Sequence, residues 1–379
     1  MLEKQVDLPD VAALRGDKTK QADMPKNESP NLDFLRTVAV LFVVAFHVML
    51  ALQYGGNRFF VPQCMGRLGV VMFFVHTSLV LMFSLERQKE KHGSQSLYST
   101  FLIRRIFRIY PLSMAVVLAI FCGALIWKNN PVSGSVSPWE FVSNFLLIQN
   151  LTHARSISGP LWSLPIEVQM YLFLPPLWVL ANKLRAKDFI WGVWPASVLL
   201  ALPQFKYPLP ISDVFKFAPC FIPGIICYLL STNKRVVSFW FLPLLIGVCF
   251  ASYMILGPHS QTIAGYPVCL ALGLGLPFIQ EMNNGFAKRV CNLVAKYSYS
   301  IYLLHPICLA LVFANLSVLP KPLLCLVSIL LTGVASFVTY HLIESPLIVW
   351  GNRVASRQRP RRSAPSPKEL AAEEPTPAP

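Results

Sequence analysis

Charge is scarce in this sequence. Asp, Glu, Lys and Arg make up only 13% of its 379 residues, about half the share of a soluble globular chain. Hydrophobic residues fill the gap at 54%, with a mean hydropathy of +0.52, which excludes an ordinary water-soluble fold. Paired cysteines are also lacking. The nine cysteines stand singly, mostly within apolar runs, so neither a disulfide framework nor a zinc or redox motif is expected, and they read as small hydrophobes. There is no phosphate-binding glycine loop, no internal repeat and no metal-ligand spacing. The first 30 residues are polar and mixed in charge without an early apolar core, so no cleavable signal peptide is expected.

What is present is a series of long apolar runs. They lie near 34–53, 68–85, 109–127, 164–181, 189–203, 213–231, 236–256, 262–281, 298–315 and 322–343. This predicts an all-α polytopic membrane protein with about ten transmembrane helices. Basic residues concentrate on the cytoplasmic side of such proteins. With both termini inside, 26 of the 33 Lys and Arg residues fall in inner segments and 7 in outer ones. That bias predicts cytoplasmic N- and C-termini and a multi-pass protein of the cell (inner) membrane. It also accounts for the net charge of +15 as topology and attraction to anionic lipid, without nucleic acid. The expected organisation is a disordered tail over 1–30, a ten-helix domain over 31–350 and a basic, Pro-rich disordered tail over 351–379.

Within the spans, a few polar residues stand out. Burying an ionisable group in a bilayer costs a few kcal/mol or more, so each is a candidate functional residue. Arg36 and His47 are eleven positions apart, which on one helix is roughly 16 Å of rise and roughly 20° of rotation. With Arg36 at a headgroup boundary, His47 lies near mid-membrane. Arg105 and Arg108, three apart, share a helix face and are expected level with Arg36, as topology anchors or as a site for a cytosolic polyanion. Glu167 lies within an apolar run beside Gln169 and after Pro165, so it should face the bundle interior. His341 and Glu344 are spaced to pair with one another. His76 and His305 are further intramembrane histidines without an assignable role.

These residues, in this order, resemble the membrane-bound acyltransferase 3 family, whose members include O-antigen, Nod-factor and exopolysaccharide O-acetyltransferases. The motifs are Asn31-Leu-Asp33-Phe-Leu-Arg36 followed by ten residues and His47; Phe-Phe-Val at 73–75; Arg105-x-x-Arg108-Ile-Tyr-Pro111; Trp162-Ser163-Leu164 with Glu167; Tyr299-Ser300-Ile-Tyr302-Leu-Leu-His305-Pro306; and Glu344-Ser-Pro346. The resemblance implies acyl transfer, usually of acetyl, from cytosolic acyl-CoA to a hydroxyl of a carbohydrate, often lipid-linked. It also implies that the pairs Arg36/His47 and Arg105/Arg108 are needed for activity. Two departures occur: Ser78 is followed by Leu79 where many members have Ser-Gly, and His76 replaces a common aliphatic residue. Some members carry an extra extracytoplasmic SGNH-hydrolase-like domain; with about 30 residues after the last span, none is expected here.

His47 is the expected general base. Arg36, Arg105 and Arg108 are expected to hold the phosphates of the donor, acetyl-CoA by the resemblance, since guanidinium forks bind phosphate bidentately. Glu167 either orients His47 or binds sugar hydroxyls. No bound cofactor or metal is expected; the donor is a substrate. A transporter or flippase for a lipid-linked sugar is the rival class, and it predicts inverted repeats that the sequence does not show.

Overall fold

Ser29 opens the first helix. Its side chain accepts the Leu32 N–H, and Pro30 follows at the first helical position, where a missing N–H leaves no bond unmade. The helix α1 therefore starts at Pro30 and runs to Ala51. The computed structural model describes residues 29–53, 60–92, 96–126, 134–207, 212–231 and 235–357. The expected tails over 1–28 and 358–379 lie outside the described residues.

The remaining helices are α2 (Phe60–His92), α3 (Leu97–Ile126), α4 (Pro138–Phe145), α5 (Leu164–Ala181), α6 (Ala186–Asp188), α7 (Trp194–Ala201), α8 (Ser212–Leu230), α9 (Phe241–Leu256), α10 (Gln261–Gly275), α11 (Gly285–Asn315), α12 (Lys321–Thr339) and α13 (Ser345–Arg357). A π turn (Phe189–Val193) joins α6 to α7, and another (Tyr340–Glu344) joins α12 to α13. No strand occurs among the described residues; a lone bridge pairs Val237 with Ile279. The all-α membrane class is therefore what the structure shows.

Among the described residues, eight helical segments are long and apolar enough to cross a membrane. The expected spans over 189–203 and 236–256 correspond to shorter elements, α6–α7 with its π turn and the 16-residue α9. The last helix continues through Arg357.

The helices pack around α1 and α2. The two run antiparallel: Gly66 meets the Phe46 ring, and Gly69 meets the Ala39 carbonyl and Val43. α1 is pinned at its start by the 279–282 segment. The Asn31 amide donates to the carbonyls of Ile279 and Gln280 and accepts the Met282 N–H. Glu281 accepts from Ser29 and the Asn31 N–H and pairs with Arg235. Asp33 accepts from Asn292 of α11 at 3.1 Å. These contacts give the Asn31-Leu-Asp33 stretch a structural task. The close approach of α2 and α8 uses Gly224: a Cβ there would stand 2.0 Å from the Ser78 hydroxyl and 2.3 Å from the Val75 carbonyl. The small residue that the Ser78-Leu79 pair lacks is thus supplied by the facing helix.

Candidate active site

Three helices bring the expected arginines and Arg87 together. Arg36 of α1, Arg87 of α2, and Arg105 and Arg108 of α3 line one cavity of about 240 Å³, together with Glu167 of α5 and residues of α11. On α2 its wall runs from Val70 to Arg87, seventeen residues or about 26 Å of helix. The three-residue spacing of Arg105 and Arg108 accounts for their common aim. Among the described residues none of the four arginines has a carboxylate within ion-pair distance, and the buried Nε atoms of Arg36 and Arg105 have no hydrogen-bond partner.

Among the described residues Glu167 is the only carboxylate on this wall. It sits in the first turn of α5, after Pro165, where a negative charge is favoured by the helix dipole. One of its oxygens accepts the Tyr171 hydroxyl at 2.7 Å and the Thr77 hydroxyl at 3.4 Å. Tyr171 is the next residue but three on the same face. Glu167 therefore faces inward, as expected, but its partners are hydroxyls and not a histidine. Four guanidiniums against one carboxylate leave the cavity strongly cationic, a place for an anion.

His47 does not line this cavity. α1 is 22 residues long, so Arg36 stands about 9 Å from its start and His47 about 6 Å from its end. The two flank the middle of the helix. The helix begins at Pro30, upstream of the expected 34, which moves Arg36 inward and His47 toward the far end. A short 3-10 turn (Gly159–Ser163) and Tyr302 stand between the imidazole and the cavity. The Tyr302 hydroxyl contacts Ser163 at 2.7 Å and the Pro160 carbonyl at 3.1 Å. Gly159 lies so close to the ring that a Cβ would come 2.8 Å from His47 Nε2.

A second histidine fixes His47. Nδ1 of His305 is 2.9 Å from the Ile301 carbonyl, and Nδ1 of His47 is 2.9 Å from the Val43 carbonyl. A carbonyl only accepts, so each Nδ1 carries its hydrogen. Nε2 of His305, 3.1 Å from His47 Nδ1, is then an acceptor for that same N–H. The pair leaves the lone pair of His47 Nε2 directed at Gly159. His305 is wholly buried and positions His47 in one tautomer.

The pairing expected between His341 and Glu344 does not occur. The π turn over Tyr340–Glu344 widens the helix and changes the phase between the two side chains. Glu344 turns inward and accepts from Ser300 of α11, both buried. His341 stays at the exposed surface against the Tyr297 hydroxyl, 3.2 Å away.

A family model described as an acyltransferase domain matches residues 29–341, a stretch that holds every residue of the cavity. The chain belongs to this acyltransferase family. A protein of Acidianus two-tailed virus named as an acetyltransferase is 27% identical over 244 residues, 59% of this chain and 67% of its own. The peptidoglycan O-acetyltransferase OatA of Listeria monocytogenes is 31% identical over 190 residues, and the match spans 47% of this chain and only 25% of that protein. A Staphylococcus aureus protein named as an O-acetyltransferase is 30% identical over 194 residues, 48% of this chain and 30% of its own. No solved structure matches the chain.

In this membrane acyltransferase Arg36, Arg105, Arg108 and Glu167 were legible from spacing and from an apolar context, whereas Arg87 counted only toward topology. His305 as the partner of His47, and His76 on the cavity wall, were not. His305 stands in one of the motifs and His76 shows only as a histidine in an apolar run, and nothing in one helix says which neighbour either meets.

Proposed function

We propose that this acyltransferase moves an acyl group, acetyl by analogy with the names of its relatives, from acyl-CoA to a hydroxyl of a carbohydrate or lipid-linked glycan at the cell membrane. The observation that carries this reading is the cavity walled by Arg36, Arg87, Arg105 and Arg108 without ion-pair partners. Unpaired guanidiniums lining one cavity suit the phosphates of a CoA thioester. The basic bias of the inner segments supports a cytosolic setting for that end of the bundle, where acyl-CoA is found.

The acceptor hydroxyl attacks the thioester carbonyl carbon. The new C–O bond forms as the C–S bond breaks, and the CoA thiolate leaves. His47 Nε2 takes the hydroxyl proton, and the resulting imidazolium keeps its Nδ1–H between the Val43 carbonyl and His305. That proton then returns to the thiolate. Glu167, held by Tyr171 and Thr77, is placed to fix one end of the cavity or to take a sugar hydroxyl. The Ser163–Tyr302 contact stands between the cavity and His47, so the thioester reaches the imidazole when that contact opens.

The test is reconstitution. Wild-type protein in proteoliposomes should transfer label from acetyl-CoA to a glycan acceptor. His47→Ala should abolish transfer and keep membrane insertion and CoA binding. Label transfer at the wild-type rate by His47→Ala would refute the role of His47, and wild-type protein inert toward acyl-CoA would refute the donor.

A further inference from the structure

His76 has no part in the mechanism above, yet it opens onto the donor cavity. Its residue is only 7% exposed, its side chain lines the cavity, and no hydrogen bond is made to it among the described residues. Helix register fixes its depth. Gly69 of α2 packs on Ala39, Phe42 and Val43 of α1, and the helices run antiparallel. Seven residues on, His76 is level with Arg36.

The other polar groups on the wall are already engaged. Thr77 and Tyr171 donate to Glu167. Tyr299 donates to the Ile109 carbonyl and Ser298 to the Ala295 carbonyl. Ser163 and Tyr302 hold each other, and Ser84 accepts from Gln88. The hydroxyls keep acceptor lone pairs, but the wall groups without a protein partner among the described residues are guanidinium nitrogens, the second oxygen of Glu167 and the imidazole. Guanidiniums only donate. A carboxylate accepts but repels an anionic donor. The imidazole is an unpartnered acceptor that can sit beside a phosphate-bearing ligand without that repulsion.

Resting on the acyl-CoA reading, we propose that His76 is a donor-binding residue: its ring accepts a hydrogen bond from an amide N–H of the thioester arm, next to the phosphates that the arginines hold. The reacting bond lies elsewhere, so the contact belongs to binding and not to the chemical step.

Purified protein is assayed with acetyl-CoA, and CoA binding is followed in detergent. His76→Leu should raise the acetyl-CoA KM and the CoA Kd about tenfold, the loss of one hydrogen bond. Its kcat should stay within about twofold and its acceptor KM should not move. His76→Gln keeps an acceptor and should recover most of the loss. A monodisperse, normally melting His76→Leu protein with unchanged acetyl-CoA KM overturns the proposal. So does a fall in kcat at constant KM, or a Gln variant as weak as Leu. If His76→Leu does not fold, the CoA Kd of His76→Gln decides: within about threefold of wild type supports the contact, and a tenfold loss overturns it. Wild-type protein that neither binds CoA nor uses acetyl-CoA overturns the reading beneath it, and this inference falls with that reading.

Discussion

Arg105→Met separates binding from stability in a way a structural arginine cannot. The Arg105 side chain lines the cavity without a carboxylate in ion-pair contact. Its charged neighbours are Arg108 and Arg104, with Glu167 opposing them. Charges about 6 Å apart, the spacing of i and i+3 on a helix, repel by about 2–3 kcal/mol at an effective dielectric near 20. Attraction to Glu167 offsets part of this. Methionine keeps the length and apolar body of the side chain, including its contact near Phe101, whose ring centre lies 5.8 Å from the guanidinium. The ligand-free variant should therefore melt at the wild-type temperature or a few degrees above it. Binding goes the other way. A charge-assisted hydrogen bond contributes about 1.5–3 kcal/mol, so the acyl-CoA KM should rise about 10- to 150-fold. Arg105→Lys keeps the charge but not the fork and should fall between. The assays are thermal melting in detergent without ligand and initial rates against acetyl-CoA concentration. A clear drop in melting temperature with an unchanged KM would show that Arg105 holds the fold, and the cationic cavity would lose its functional meaning.

Two further outcomes concern the end of the bundle that holds His47. Gly159→Ala sets a methyl 2.8 Å from His47 Nε2, so the ring must shift; kcat should fall about tenfold with the donor KM unchanged, and steady-state kinetics showing wild-type kcat would remove Nε2 as the working atom. Glu140, in α4, is held below the usual carboxylate range by its hydrogen bond from Arg155 and by the Ser137 N–H. Its contribution is present above the ordinary Glu value and is lost as pH falls through the depressed one. The protection factors of amides in the 137–157 segment, exchange corrected for the intrinsic rate at each pH, should then fall below about pH 4.3. Arg155→Gln should shift the onset to higher pH, and protection factors that do not change with pH would show that the pair does not hold this segment.

Much of the fold could be read directly. The apolar runs gave the class because a bilayer demands about 20 apolar residues per helix, and α1, α2, α3, α5, α8, α10, α11 and α12 meet that demand. Helix starts were less legible. The Ser29–Pro30 cap sets α1 four residues earlier than hydropathy alone, which shifts the depth of Arg36 and His47 together. The π turn at Tyr340–Glu344 was also hidden, since it follows from α12 and α13 packing on different neighbours, and it redirects Glu344 from His341 to Ser300.

Periodicity along one helix was enough to establish that Arg105 and Arg108 point the same way, and an apolar context was enough to mark Arg36, His47 and Glu167 as costly to bury. The chain's own order of residues thus decided which groups are exceptional. Which of them meet was decided by tertiary packing: the rotation and depth of α1 against α2 and α11 put His76 beside the arginines and His47 beyond Tyr302, against His305. A helix sets angles only about its own axis, whereas a cavity is bounded by several helices whose phases are fixed by the interlocking of their side chains.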